Sequence, residues 1–240
     1  MKRLILIILK NLYHIPFAWL RLCTYASHTD KYSIEQRYSL IRKIASWIVH
    51  SGKINLKIYG KENIPKENGF MLFPNHQGLF DGFAIVEALE KPFSTVYKKE
   101  LDTLPFMNQV LACVDAIPLE RDNARQGLQV INKVASEVKN GRNYMIFAEG
   151  TRSKKGNQLI DFKGGSFKSA IKAKCPILPI ALIDSYKVFD TKSSKKTTVQ
   201  VHFLKPISYE EYKGMKAIEI AEMVKETITK TIKQNKLVPQ

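Results

Sequence analysis

The chain has 240 residues, 45% of them hydrophobic, and carries a formal net charge of +16 with a pI near 9.7. That length supports one sizeable core, and the charge favours an anionic partner: nucleic acid, an anionic membrane, or a phosphorylated or acidic substrate. Three widely spaced cysteines exclude a disulfide framework, and neither metal-ligand spacing nor a basic run interleaved with aromatics is present, so a membrane surface is preferred and no nucleic-acid partner is expected.

The N-terminus is apolar from Leu4 to Leu20, interrupted by Lys10, Asn11 and His14. A membrane span needs about 20 predominantly apolar residues, which this segment reaches only by tolerating those three in its middle. No A-x-A type cleavage site marks a signal peptide. An interfacial helix fits better, with Tyr13, Trp19 and Arg21 at headgroup level and the three polar residues turned towards headgroups. A span ranks second, and a buried helix of the globular domain third.

Ile34 to His50 has helical periodicity. Ile34, Tyr38, Ile41, Ala45 and Ile48 form one stripe, with Leu40, Ile44 and Trp47 beside it, and Glu35, Arg37, Arg42 and Lys43 elsewhere. Lys53 to Tyr59 alternates as a strand. Gly69 to Phe73 reads as a buried strand ended by Pro74, which cannot donate to a ladder. Phe83 to Leu89 reads as a helix packed on a sheet. Phe93 to Tyr97 is a strand, Pro105 to Cys113 a short apolar helix, and Asp115 to Leu119 a short strand. Asn123 caps a helix from Ala124 to Lys139. Strands come next at Asn143 to Phe147, Pro176 to Leu182 and Thr197 to Phe203, then a helical region from Tyr209 to Lys236. Strands alternating with helices define an α/β protein: a mixed central sheet flanked by helices, after an N-terminal membrane-associating helical segment.

Two polar clusters directly succeed buried strands. The first is Asn75-His76-Gln77-Gly78-Leu79-Phe80-Asp81, on a strand-to-helix turn of the kind that holds ligands in open α/β sheets. A neutral histidine can take a proton from a hydroxyl, and a nearby carboxylate can hold its tautomer. The plainer alternative has His76 bonding backbone and Asp81 capping the next helix. The second cluster is Glu149-Gly150-Thr151-Arg152-Ser153. Arg152 and Arg121 each lie just past a strand, where a guanidinium can grip phosphate bidentately, and Lys98 is a weaker third candidate. Glu149 orients Arg152 or caps a turn. Gly164-Gly165-Ser166 is better read as a tight turn than as an anion cradle.

Asn75-His76-x-x-x-x-Asp81, Ile117-Pro118-Leu119-Glu120-Arg121, Phe147-Ala148-Glu149-Gly150-Thr151-Arg152-Ser153 and Pro176-Ile177-Leu178-Pro179-Ile180 stand in order along the chain. In this they resemble the four blocks of the glycerolipid acyltransferases, and in particular the 1-acyl-sn-glycerol-3-phosphate acyltransferases. Lys98-Lys99-Glu100-Leu101 and Phe162-Lys163-Gly164-Gly165 extend the resemblance, which covers roughly Leu56 to Phe203. Ala148, where the family usually has proline, and Ile117-Pro118-Leu119, where it is more often phenylalanine-rich, depart from the pattern.

The resemblance implies transfer of an acyl group from a thioester, on coenzyme A or acyl carrier protein, to the hydroxyl of lysophosphatidic acid, with no cofactor and no metal. His76 would be the general base and Asp81 its orienting partner. Arg121, Glu149, Gly150, Thr151 and Arg152 would bind the glycerol phosphate of the acceptor, and Lys98, from its place after a strand, remains a further substrate-binding candidate. Residues 1–50 would be membrane-associating helices and 51–240 the acyltransferase domain, held on the cytoplasmic face of the cell membrane. The rival readings are a family member with another acceptor, such as glycerol-3-phosphate or another lysophospholipid, and a non-catalytic basic protein that binds membranes.

Overall fold

The computed structural model describes residues 2–120 and 123–236, so Arg121 lies outside the described residues. The chain opens with α1 (Lys2–Lys10), α2 (Ile15–Ser27) and α3 (Ile34–Ser51), then β1 (Ile54–Tyr59), β2 (Met71–Pro74), α4 (Asp81–Ala88), β3 (Phe93–Lys98), α5 (Pro105–Cys113) and β4 (Ile117–Leu119). It continues with α6 (Ala124–Lys139), β5 (Asn143–Met145), α7 (Lys168–Ala173), β6 (Ile177–Ile183), α8 (Tyr186–Phe189), β7 (Thr197–Phe203), α9 (Tyr209–Tyr212) and α10 (Ala217–Lys236).

The described residues form a seven-stranded sheet in the order β1-β7-β6-β2-β5-β3-β4. Five neighbouring strands, β6, β2, β5, β3 and β4, run parallel, so their carboxyl ends share one edge. β7 is antiparallel to β6, and β1 is parallel to β7, which makes the sheet mixed. β2 lies between β6 and β5, so the turn at its carboxyl end is flanked by the segments leaving those two strands.

Alternation along the central strands divides the core. Phe70 and Leu72 face one apolar cluster, and Met71 and Phe73 the other. On β6, Leu178, Ile180 and Leu182 join the first cluster, and Ile177, Ala181 and Ile183 the second. Burial on both faces is why these strands read as unbroken apolar runs rather than as alternating ones. α3 and α4 cover the first face, together with Ile7 of α1 and Leu22 and Tyr25 of α2. α6, α7 and α10 cover the second.

Several expected boundaries move by a few residues. β2 runs through Pro74, and α4 begins at Asp81, two residues before the expected start at Phe83. β4 starts only at Ile117, because Asp115 turns the chain with φ 50°. Asn123 does cap α6, its side chain accepting the Gln126 N–H at 3.0 Å. Gly164 sits where a Cβ would come 3.0 Å from the Ile218 backbone nitrogen, so its turn serves close packing against α10.

Two polar residues that the helical pattern left outside are drawn in. Arg37 is buried, donating to both oxygens of Asp115 at 2.8 and 3.0 Å and to the Cys113 carbonyl at 2.9 Å. Asn11 does not turn towards headgroups: it is buried and donates to the Ile7 carbonyl and the Ser51 hydroxyl, both at 2.8 Å. His14 stacks on Trp47 with ring centres 4.8 Å apart. Arg3 is buried too, donating to the Gly52 and Lys195 carbonyls and to the Thr197 hydroxyl.

Among the described residues no single helix is long and apolar enough to cross a membrane. α1 and α2 together reach that length and composition, but they are bent by 93° where they meet.

Candidate active site

Pro74 ends β2, yet the ladder continues through a side chain. The Asn75 amide donates to the Leu182 carbonyl at 3.1 Å and accepts the Leu182 N–H at 2.7 Å, as a strand backbone would. Gln77 makes a second pin. It donates to the Leu182 carbonyl and the Asn157 side chain, and its oxygen accepts the Ser185 N–H at 3.1 Å. Both amides are buried, so these bonds also satisfy groups that would be costly to leave unpaired. The turn between them and α4 is thereby fixed to the end of β6.

His76 is held within that turn through its backbone and through one ring nitrogen. Its Nδ1 lies 2.7 Å from Asp81 Oδ2. Its backbone N–H donates to Glu149 Oε1 at 2.6 Å, and its carbonyl accepts the Ser153 N–H at 2.9 Å. Its ring stacks on Phe147, just past β5, with centres 3.9 Å apart. Asp81 is wholly buried, and its Oδ2 also accepts the Gln77 and Gly78 N–H groups at 2.6 and 2.9 Å. Asp81 therefore caps the turn that precedes it rather than α4, and the ring bonds a side chain rather than backbone. A carboxylate offers Nδ1 only an acceptor, so in the neutral ring the proton sits on Nδ1 and the lone pair on Nε2. Among the described residues no protein group bonds Nε2.

Glu149 lies just past β5 and is buried. Its second oxygen accepts the Ile160 N–H at 3.0 Å, and burial pushes its carboxyl pKa up against the pull of these hydrogen bonds. It thus braces the His76 turn; its oxygens do not reach Arg152. Gly150 continues the turn at φ +68°, a conformation that favours glycine. Thr151 is exposed and Arg152 half-buried, with Arg152 Nη1 donating to Asp190 Oδ1 at 3.0 Å. Lys98 ends β3 at the same sheet edge, exposed and paired with Glu100 at 2.7 Å. The fold thus gathers His76, Asp81, Glu149, Gly150, Thr151 and Arg152 around β2 and β5, with Lys98 two strands from β2.

Sequence reasoning missed Ser185 and Asp190. Ser185 is buried at the end of β6, and its hydroxyl donates to Asp81 Oδ1. A signal for it existed: like His76 and Glu149, it is a polar residue just past a buried strand. Asp190 gave none, since it lies at the end of a four-residue helix that the periodicity did not reveal. Among the described residues no group of three or more His, Cys, Asp or Glu side chains is placed to hold a metal ion.

The fold is thus a mixed α/β sheet that carries an oriented histidine at the carboxyl edge of its parallel strands, where open α/β folds hold ligands. The family model for Acyltransferase matches residues 55–183, more than half of the chain, and the chain belongs to that family. It is 29% identical over 185 residues to the 1-acyl-sn-glycerol-3-phosphate acyltransferase of Saccharomyces cerevisiae, covering 75% of this chain and 61% of that one. It is 32% identical over 147 residues to the protein of the same name from Borreliella burgdorferi, covering 61% and 57%. The chain therefore spans about six-tenths of the length of these two relatives. Its fold matches the crystal structure of the 1-acyl-sn-glycerophosphate (LPA) acyltransferase PlsC from Thermotoga maritima, with a TM-score of 0.79 at 20% identity, over 100% of this chain and 98% of that one.

Proposed function

We propose that the chain moves a fatty acyl group from an acyl thioester to the free hydroxyl of lysophosphatidic acid, giving phosphatidic acid for phospholipid synthesis. The observation that carries this reading is the His76–Asp81 pair at 2.7 Å with Nε2 unoccupied by protein, inside the residues matched by the acyltransferase family. The names of the yeast and Borreliella relatives supply the acceptor.

His76 Nε2 takes the hydroxyl proton as the acceptor oxygen attacks the thioester carbonyl. A C–O bond forms, the tetrahedral oxyanion collapses, the C–S bond breaks, and the departing sulfur takes the proton from His76. Asp81 stabilises the imidazolium in between. General base work of this kind is typically worth ~10²–10⁴-fold, and positioning of the two substrates adds to it. Arg152 binds the acceptor phosphate, with Arg121, Lys98 and Thr151 completing the site, while Glu149 and Gly150 shape the turn that presents them. Acyl-CoA or acyl carrier protein serves as co-substrate, and neither a cofactor nor a metal takes part.

The acceptor and product are lipids, so the site works at a bilayer surface. Leu4, Ile5, Ile8, Leu9, Leu12, Tyr13, Phe17 and Leu20 are exposed along α1, α2 and the bend between them and would lie in the cytoplasmic interface of the cell membrane, without spanning it.

The test is acyl transfer from a labelled acyl thioester to lysophosphatidic acid, glycerol-3-phosphate and lysophosphatidylcholine. Preferred turnover of lysophosphatidic acid, lost in His76→Ala, is expected. Preference for another acceptor overturns the substrate, and wild-type rates in a folded His76→Ala protein overturn the base. No turnover at all leaves a basic membrane-binding protein.

A further inference from the structure

We infer that Asp190 sets the acceptor-phosphate affinity of this site by holding the Arg152 guanidinium, although it lies beyond residues 55–183 that the family model matches. The inference rests on the reading of Arg152 as a phosphate ligand.

Three observations converge on Asp190, the residue that caps the end of α8. Its Oδ1 accepts from Arg152 Nη1 at 3.0 Å. Its Oδ2 accepts the Leu79 N–H at 3.1 Å, within the turn that carries His76. Gly78, next to Leu79, makes the approach possible: a Cβ there would stand 2.3 Å from Asp190 Oδ2 and 3.0 Å from the Tyr186 Cα. One carboxylate thus spans the His76 turn and the guanidinium.

The backbone beside Arg152 is tied to the same turn, since the Ser153 N–H meets the His76 carbonyl. The long Arg152 side chain would lose considerable rotamer freedom on gripping a phosphate. Asp190 settles that orientation beforehand and occupies one of five N–H donors, leaving most of the planar fork for the anion. Asp190 is therefore a positioning residue. It acts on acceptor binding through Arg152, and it fixes the phosphate site relative to His76.

The experiment measures kcat and both KM values for wild type, Asp190→Asn, Arg152→Ala and the double variant, with lysophosphatidic acid and an acyl thioester. Asparagine can still accept the Leu79 N–H through its one oxygen, so the turn keeps its brace, while its NH2 then faces Arg152 Nη1 and can no longer accept from the guanidinium. Asp190→Asn is expected to raise the acceptor KM about tenfold, the scale of one well-placed charged hydrogen bond. Thioester KM and kcat should stay within about twofold. Arg152→Ala should raise the acceptor KM at least as much, and the double variant should be no worse than Arg152→Ala alone, because Asp190 works through that side chain.

The inference is overturned if Arg152→Ala raises the acceptor KM while Asp190→Asn leaves it unchanged. A lower KM in Asp190→Asn also overturns it, since Asp190 would then compete with the phosphate. A double variant that loses the full product of the two effects does the same. If Arg152→Ala itself spares the acceptor KM, the phosphate role of Arg152 falls first and this inference falls with it.

Discussion

The Ser185 hydroxyl donates to Oδ1 of Asp81, the carboxylate oxygen opposite the one that meets His76. Its single proton serves the carboxylate ahead of the Gln77 amide oxygen 3.1 Å away, because carboxylates are the stronger acceptors. Asp81 is thereby held at both oxygens, by a side chain from the end of β6 and by the turn after β2. Removing the hydroxyl leaves a buried oxygen one donor short, which typically costs about 1–3 kcal/mol. Ser185→Ala should lower kcat by about tenfold with both KM values little changed, since the loss falls on the orientation of the proposed base. Steady-state kinetics on a variant whose melting curve is still cooperative decide the matter. A normal kcat in that protein would sink the idea.

Much of this site was legible in the sequence for a single reason. β2, β5 and β6 are buried on both faces, so their apolar runs stand out, and each ends in a polar residue that has little reason to be there except chemistry or bracing. His76, Glu149 and Arg152 were found in that way. The partners of those residues were less legible, because partnership depends on strand order. Nothing local says that β6 lies beside β2, so Ser185 could not be matched to Asp81, nor Asn75 to Leu182. Arg37 and Asn11 were misplaced for a related reason. Helical periodicity assigns polar residues to the outside, and only tertiary contacts reveal that Asp115 and Ser51 wait on the inside.

Glu149 illustrates a brace whose loss should show in stability as well as in rate. Its two oxygens take the His76 and Ile160 N–H groups. Glu149→Ala strands both donors, each worth about 1–3 kcal/mol when left unsatisfied in a buried place. Chemical denaturation should register a loss of a few kcal/mol with an unchanged m-value. A variant as stable as wild type would mean that water replaces the carboxylate at no cost.

His202 on β7 gives a pH dependence of known sign. It is buried against Tyr59, with ring centres 4.5 Å apart, and burial lowers its pKa from the ordinary 6.5. Below that value the unfolded chain binds a proton that the folded chain resists, so stability rises with pH through this window. The His202 contribution is whole above the unfolded pKa and is lost as pH falls towards the folded one. His202→Gln should therefore flatten the drop in Tm between about pH 7.5 and pH 5.5. If wild type and variant lose the same number of degrees over that range, some other group carries the acid sensitivity.

The proposed membrane contact of α1 and α2 cannot be tested by deletion, because both helices also pack into the core. Deleting the N-terminal segment would remove the proposed membrane face, but it would also strip Arg3, Ile7, Leu22 and Tyr25 out of the fold, where all four are buried. Loss of activity after such a deletion would report unfolding as readily as detachment. Substitution on the outer faces separates the two effects. Leu9, Leu12, Phe17 and Leu20 are each more than 60% exposed, so replacing all four with serine removes apolar surface that the fold hardly uses. Each such side chain is worth about 1.5–3 kcal/mol when fully transferred from water to an apolar phase. Partial insertion at an interface recovers only part of that, and four together still imply a loss of binding of about a hundredfold or more. The quadruple variant should keep the wild-type Tm. It should sediment poorly with anionic phospholipid vesicles and lose activity on bilayer substrate while retaining it on detergent-dispersed substrate. Arg3→Ala makes the converse control: it keeps the apolar face but removes the bonds to Gly52, Lys195 and Thr197, so Tm should fall while the exposed side chains remain. Undiminished vesicle binding by the quadruple variant would show that another surface of this basic chain makes the membrane contact.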